Sequence, residues 1–351
     1  MKIRKNARVL GALLLAGLCC RPSEPAAAAA GSPPGVIPVG QTVGVRIQTD
    51  GLLVTELSEV PTAGGVRCPA EEAGLRVGDR IVRAGAGPVG GTEDLRRAVV
   101  ETGDAPLVLE VVRQGTPVTL SVRSVRCSED GQYRIGALTR DGLAGLGTMT
   151  FYDPQTGLFG ALGHSIAEAG GSDPLPLATG SILGATVRDI TKSTVGSPGE
   201  LKGEFVSEES AGAVLANTDH GIFGVLQDTA LAGRRPVMPV AAPDEAHTGA
   251  ARILSNVRGG EVEAFDVEIV KLYGGEGDGE GRHFMLKVTD PSLLALTGGI
   301  VQGMSGSPVV QDGKLLGAVT HVLVSDPKRG YGIFAQTMLR EGALCLARAA
   351  A

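Results

Sequence analysis

The sequence contains no tryptophan, and aromatic residues amount to only 3% of its 351 positions. That scarcity favours structure built on small side chains. The 53 glycines argue against long helices and for turn-rich β structure with small side chains, an all-β or α+β class. Cysteine is also scarce. Of the five present, Cys19 and Cys20 lie in the N-terminal segment, and Cys68, Cys127 and Cys345 show no CxxC spacing. An odd set of three excludes a complete disulfide framework and allows at most one internal bridge. The ligand spacing of a metal site is missing too, so neither a metal nor a cofactor is expected. Basic residues are in deficit: without residues 1–30 the chain has 27 Lys and Arg against 37 Asp and Glu, a net charge of −10. That balance excludes nucleic acid and anionic membrane surfaces as partners. A hydrophobic fraction of 43% nevertheless suffices for a core in each of two domains.

Long hydrophobic runs are lacking as well. The N-terminal segment has a basic start (Lys2, Arg4, Lys5, Arg8), an apolar run of 12 residues from Val9 to Cys20, then Pro22 and an alanine string ending at Ala30. A relaxed bilayer span needs about 20 residues, so residues 1–30 predict a cleaved signal peptide, with an uncleaved anchor as the alternative. Lipid attachment at Cys19 is disfavoured by Leu18, which stands where a small residue is wanted. The expected location is outside the cytoplasm, with membrane contact confined to this segment. Residues 31–40, rich in Gly and Pro, read as a linker.

From residue 41 to 126, short apolar strands alternate with glycine turns, and Thr92–Val100 carries a helix signal with Thr92 able to cap the first turn. Pro69 to Ile81, with Ala73-Gly74-Leu75 followed by Gly78-Asp79-Arg80-Ile81, resembles a PDZ domain. That resemblance implies a peptide ligand and places Val43, Gly44, Val45 and Arg46 at the loop and edge strand that accept an added β-strand. The alternative is a domain that docks only against its own peptidase neighbour. Residues 127–351 hold many short apolar segments between turns such as Asp153-Pro154, which predicts a β-barrel or sandwich.

The chemistry concentrates in Gly299-Ile300-Val301-Gln302-Gly303-Met304-Ser305-Gly306-Ser307-Pro308, ahead of a hairpin that turns at Asp312-Gly313. A serine in a glycine-flanked turn presents its hydroxyl while neighbouring N–H groups point into the same space, so Ser305 is the candidate nucleophile and the N–H groups of Gly303 and Ser305 the candidate oxyanion hole. A serine needs a base within hydrogen-bond reach. Of the five histidines, His164 ends a strand of small residues and is the candidate; His220, His247, His283 and His321 read as ordinary turn or strand-end residues. The G-x-S-x-G elbow of α/β-hydrolases is absent, because position 307 is Ser, and the favoured histidine precedes the serine by 141 residues. His first, Ser late and a turn leading into a hairpin look like the chymotrypsin-type double β-barrel.

Gly163-His164-Ser165-Ile166, Thr289-Asp290-Pro291 and Gly299–Pro308, downstream of a PDZ-like domain led in by Val36-Ile37-Pro38-Val39-Gly40-Gln41, resemble the SpoIVB peptidase family. The resemblance implies a mainly β chain: a PDZ domain, then a chymotrypsin-like double barrel. It implies an exported serine endopeptidase that cleaves a membrane-associated regulatory protein in sporulation signalling, in the space around a developing forespore, with self-cleavage near the N-terminus as a further expectation. Ser305, His164 and Asp290 then map onto its catalytic set. Asp290 followed by Pro291 and an apolar run is equally the pattern of a helix N-cap, and both readings stand. The competing functional reading is a non-catalytic PDZ adaptor that binds envelope protein C-termini.

Overall fold

A computed structural model describes residues 35–167, 174–273, 277 and 281–351. The expected leader, residues 1–30, lies outside the described residues. The linker expected over 31–40 gives way at Gly35: Gly35–Pro38 is a strand paired with Tyr152 and Phe151 on one side and Met238 and Pro239 on the other, and Val36 and Val39 are buried.

Two strands organise the first half of the chain. Strand β1 (Thr42–Leu57) is followed by α1 (Pro69–Glu72), β2 (Arg80–Ala84), α2 (Thr92–Thr102), β3 (Leu107–Arg113) and β4 (Thr116–Val122), and then by β5 (Ala137–Tyr152). β1 and β5 are each 16 residues long and run antiparallel along most of their length. Their outer halves, Leu52–Leu57 and Ala137–Arg140, belong to the PDZ unit, where Leu52, Val54, Leu75, Ile81, Leu95, Val99, Leu109 and Ile135 form one buried cluster. Their inner halves belong to a barrel. There β5 pairs with β6 (Leu158–Ala161), β6 with β9 (Gly221–Leu226), β9 with β8 (Gly212–Thr218), β8 with β7 (Thr179–Thr191), and β7 with β1, which closes the ring on β5.

This closure overturns one expectation from the sequence. Val43 faces Gly147 and Gly184, Gly44 faces Leu146 and Leu183, Val45 faces Gly145 and Ile182, and Arg46 faces Ala144 and Ser181. With both edges paired and Val43 and Val45 buried, Val43–Arg46 has no free edge to offer a peptide. The alternating apolar residues that read as a peptide-accepting strand are barrel staves.

The second half forms a closed six-stranded barrel from β10 (Gly249–Ser255), β11 (Glu263–Leu272), β12 (Phe284–Val288), β15 (Arg329–Phe334), β14 (Lys314–Val322) and β13 (Pro308–Gln311), in that spatial order. Helix α3 (Pro291–Thr297) follows β12, and α4 (Ala335–Ala349) ends the chain. Six of the seven phenylalanines, at 151, 159, 223, 265, 284 and 334, are fully buried. They supply the volume that the missing tryptophans do not; replacing one such ring by alanine costs about 3–5 kcal/mol. One cluster joins Phe151, Leu158 and Phe223 of the first barrel to Leu315, Ala318 and Ile333 of the second and to Met338 and Cys345 of α4. The barrels are therefore held together by a shared apolar core. Cys68, Cys127 and Cys345 are all free and buried, so the one internal disulfide that the count allowed is not formed. Among the described residues no helix is long and apolar enough to cross a membrane, and no acidic, His and Cys cluster is placed to hold a metal.

Candidate active site

The segment after β6 turns sharply. Leu162, at φ 68°, and Gly163, at φ 73°, are both left-handed, and Leu162 donates its N–H to the Thr148 carbonyl at 3.1 Å. A non-glycine residue in that region stores strain, and here the turn carries His164 off the strand end. His164 Nδ1 lies 2.7 Å from the carbonyl oxygen of Ser165. A carbonyl only accepts, so Nδ1 carries the hydrogen and Nε2 keeps its lone pair. Desolvation lowers the pKa of His164 below the ordinary imidazole value, and the bond to Ser165 opposes that shift in part.

The serine turn lies on the second barrel and is anchored to the first. Thr148 Oγ1 donates to the Gly303 carbonyl at 2.8 Å, Thr148 N–H to the Ser305 carbonyl at 2.9 Å, and Thr150 Oγ1 to the Gly306 carbonyl at 2.8 Å. Both threonines are fully buried in the second half of β5. Gly306 has φ 94°, and a Cβ there would lie 2.0 Å from the Thr148 carbonyl oxygen and 2.5 Å from the Leu162 nitrogen, so only glycine fits. Thr148 thus touches both the histidine turn and the serine turn. Among the described residues the N–H groups of Gly303 and Ser305 have no acceptor, while Met304 N–H donates to Val301 and Gly306 N–H to Val319. Two open donors on either side of Met304 are what an oxyanion requires.

Ser305, half-buried, donates its hydroxyl to the Thr320 carbonyl at 2.7 Å rather than to the imidazole. Ser305 and His164 nevertheless line one cleft of about 410 Å³, together with Leu146, Leu162, Gln302 and Gly303. The same cleft contains His321, whose ring centroid is 4.7 Å from that of His164 with the planes tilted by 36°. Sequence reasoning set His321 aside; its one signal is its place near the end of the second strand of the serine hairpin. Burial of the ring, then the charge of His164, then that of Arg282 push the His321 pKa down to about 4, although part of its surface meets solvent at the cleft rim.

Asp290 is placed differently from the other two sequence candidates. Its Oδ1 accepts from Ser292 N–H at 2.8 Å, Leu293 N–H at 3.0 Å and Ser292 Oγ at 2.5 Å, and its Oδ2 from Asp266 N–H at 3.3 Å. Of its two readings, the carboxylate occupies the helix cap of α3, with Pro291 at the first helical position. These bonds, that to Ser292 foremost, hold its pKa below the usual carboxylate value. The orienting bond on His164 comes from the Ser165 carbonyl instead.

A family model described as SpoIVB peptidase S55 matches residues 131–339, well over half of the chain. The chain belongs to the SpoIVB peptidase S55 family. It is a serine endopeptidase on a mainly β framework, a chymotrypsin-like double barrel with the PDZ unit set between two strands of the first barrel. A second model, described as PDZ domain, matches residues 62–113, from just after β1 to the end of β3. Among solved structures this S55 chain is similar to the Rv3671c protease from M. tuberculosis in its active form, at 16% identity, covering 58% of this chain and 74% of that one with a TM-score of 0.32. It is also similar to the HtrA-type protease AlgW with decapeptide, at 12% identity, covering 63% and 56% with a TM-score of 0.35. No curated protein matches it.

Proposed function

We propose that Ser305 is the nucleophile and His164 its general base, in an exported endopeptidase that cleaves a membrane-associated regulatory protein. The observation that carries this reading is the pairing in one cleft of a free imidazole Nε2 and a serine whose turn has open N–H groups at Gly303 and Ser305.

In the proposed reaction Ser305 leaves the Thr320 carbonyl and donates its proton to His164 Nε2 as Oγ attacks the peptide carbonyl. The Nδ1–H bond to Ser165 fixes the tautomer and stabilises the imidazolium. The oxyanion takes the N–H groups of Gly303 and Ser305. His164 returns the proton to the leaving amine as the C–N bond breaks, and water hydrolyses the acyl-enzyme by the same proton transfers in reverse. Sporulation signalling, an extracytoplasmic site of action and self-cleavage near the N-terminus are the physiological part of the proposal, supported by membership of the SpoIVB family and by the basic and apolar N-terminal segment.

Labelling with a serine-directed fluorophosphonate tests the chemistry. Adduct at Ser305, lost in Ser305→Ala and reduced at least a hundredfold in rate in His164→Ala, is the expected result. Undiminished labelling of His164→Ala overturns the assignment of the base, and labelling elsewhere overturns that of the nucleophile. For self-cleavage, the N-termini of wild type and Ser305→Ala should differ; identical termini remove it.

A further inference from the structure

The cleft that holds Ser305 does not end at His164. Past the imidazole it opens into a second lobe of about 320 Å³, walled by Val45, Leu143, Leu146, Leu162 and Ile166. Leu146, Leu162 and His164 line both lobes, so the two are continuous. They differ in the barrel that supplies them. Gly303, Ser305, Thr320 and Val322 of the serine lobe belong to the second barrel and its serine turn, whereas the walls of the further lobe come from β1, β5 and the turn after β6, all of the first. Among the described residues no Asp, Glu, Lys or Arg lines the further lobe, and His164 and Ser165 bring its only polar side chains.

The walls of this lobe are held in place. Leu162 is buried, and its N–H is tied to the Thr148 carbonyl. Ile166 is clamped by Asn217 of β8: the amide Oδ1 accepts from Ile166 N–H at 2.8 Å, and Nδ2 donates to the Ile166 carbonyl at 2.8 Å and to the Leu175 carbonyl at 2.9 Å. Leu175 N–H donates to the Ile166 carbonyl as well, at 2.9 Å. One buried-edge amide thus satisfies both backbone groups of Ile166 and fixes the segment that follows the histidine. The Ile166 side chain packs partly against the core of the first barrel and also lines the lobe. Apolar walls that keep their places favour an apolar occupant and penalise a charged one, which would lose its water with no opposite charge to meet.

The proposed mechanism says which substrate residue occupies it. The peptide carbonyl sits over Ser305 with its oxygen on the N–H groups of Gly303 and Ser305, which puts the residue before the scissile bond in the serine lobe. His164 hands its proton to the departing nitrogen, so the residue that carries this nitrogen lies on the imidazole side of the bond, where the further lobe opens. We propose that this endopeptidase selects its substrates at the residue that supplies the leaving amine, an apolar residue seated against Leu143, Leu162 and Ile166. The inference deepens the catalytic reading of Ser305 and His164 and rests on it.

A degenerate peptide library, acetylated at its N-termini, is digested with the full-length protein, and the new free N-termini are sequenced by mass spectrometry; each new N-terminal residue is the one that occupied the lobe. Leu, Ile, Val, Met and Phe should be enriched there about tenfold or more over Asp, Glu, Lys and Arg, relative to the undigested library. Ile166→Lys, which sets a cation in the wall, should raise Asp and Glu at that position about tenfold over the parent, while Val66→Lys, at an exposed site in the PDZ unit, should keep the parental profile. New N-termini without preference, a preference for charged residues, or selection confined to the residue before the bond overturns the inference. So does an unchanged profile in a folded Ile166→Lys, or a protein that takes the fluorophosphonate at Ser305 yet cleaves no peptide. A protein that neither labels nor cleaves removes the catalytic assignment and the inference with it. The parental profile alone decides the matter should Ile166→Lys fail to fold.

Discussion

Thr148 is the residue on which both catalytic turns lean, and Thr148→Val isolates one of its bonds. Valine keeps the shape and both backbone bonds, to Ser305 and from Leu162, but deletes the 2.8 Å hydroxyl bond to the Gly303 carbonyl in a fully buried position. A buried carbonyl that loses its only side-chain donor costs about 1–3 kcal/mol, which sets the expected fall in stability by denaturant unfolding. In the proposed mechanism Gly303 also supplies one oxyanion donor, and only the two Gly303 backbone dihedrals separate that N–H from the carbonyl that Thr148 holds. If about 1.4 kcal/mol of the loss appears in the reaction, the fluorophosphonate labelling rate falls about tenfold per folded molecule. The two readouts are separated by working far below the unfolding midpoint. A labelling rate equal to wild type with a stability loss in the expected range would refute the idea that Thr148 positions the turn, and reduce it to a packing residue.

Three further outcomes follow from the site. Gly306→Ala places a Cβ against backbone atoms at 2.0 and 2.5 Å, so it should abolish labelling and lower stability by more than about 3 kcal/mol; a mild thermal shift would contradict this close packing. Asp290→Ala should cost about 0.5–2 kcal/mol through loss of the α3 cap while Asp290→Ser recovers most of the stability, and both should label at the parental rate per folded molecule; a hundredfold loss of rate in Asp290→Ser would return Asp290 to the catalytic set. The pKa of His164 is lowered, so its neutral form persists to lower pH: kcat/KM on a peptide substrate should hold steady as pH falls past 6.5 and decline only below it, and an acid limb centred above 6.5 would contradict the buried imidazole.

Much of the site was legible in the sequence because its signals are local. A glycine-flanked serine before a hairpin, and a histidine ending a strand of small residues, are statements about a few consecutive residues, and the structure puts Ser305 and His164 in one cleft. Asp290-Pro291 was ambiguous for the same reason. A cap and a catalytic carboxylate have the same local pattern, and only the position of the imidazole relative to that carboxylate separates them. Thr148, Thr150 and His321 carry no local pattern: a threonine in a strand is ordinary, and what distinguishes these two is that the strand passes beneath a turn more than 150 residues away.

The alternation of apolar residues by itself determined that residues 42–57 form a strand, since period two means one face in and one face out. It could not determine which neighbours that strand would have. Pairing is decided by backbone partners from distant parts of the chain, here β5 and β7, whose approach is a matter of barrel closure rather than of the strand's own side chains. For that reason the sequence assigned the double barrel, the PDZ unit and a candidate nucleophile, while only the tertiary structure decided that Val43–Arg46 is sealed between two strands.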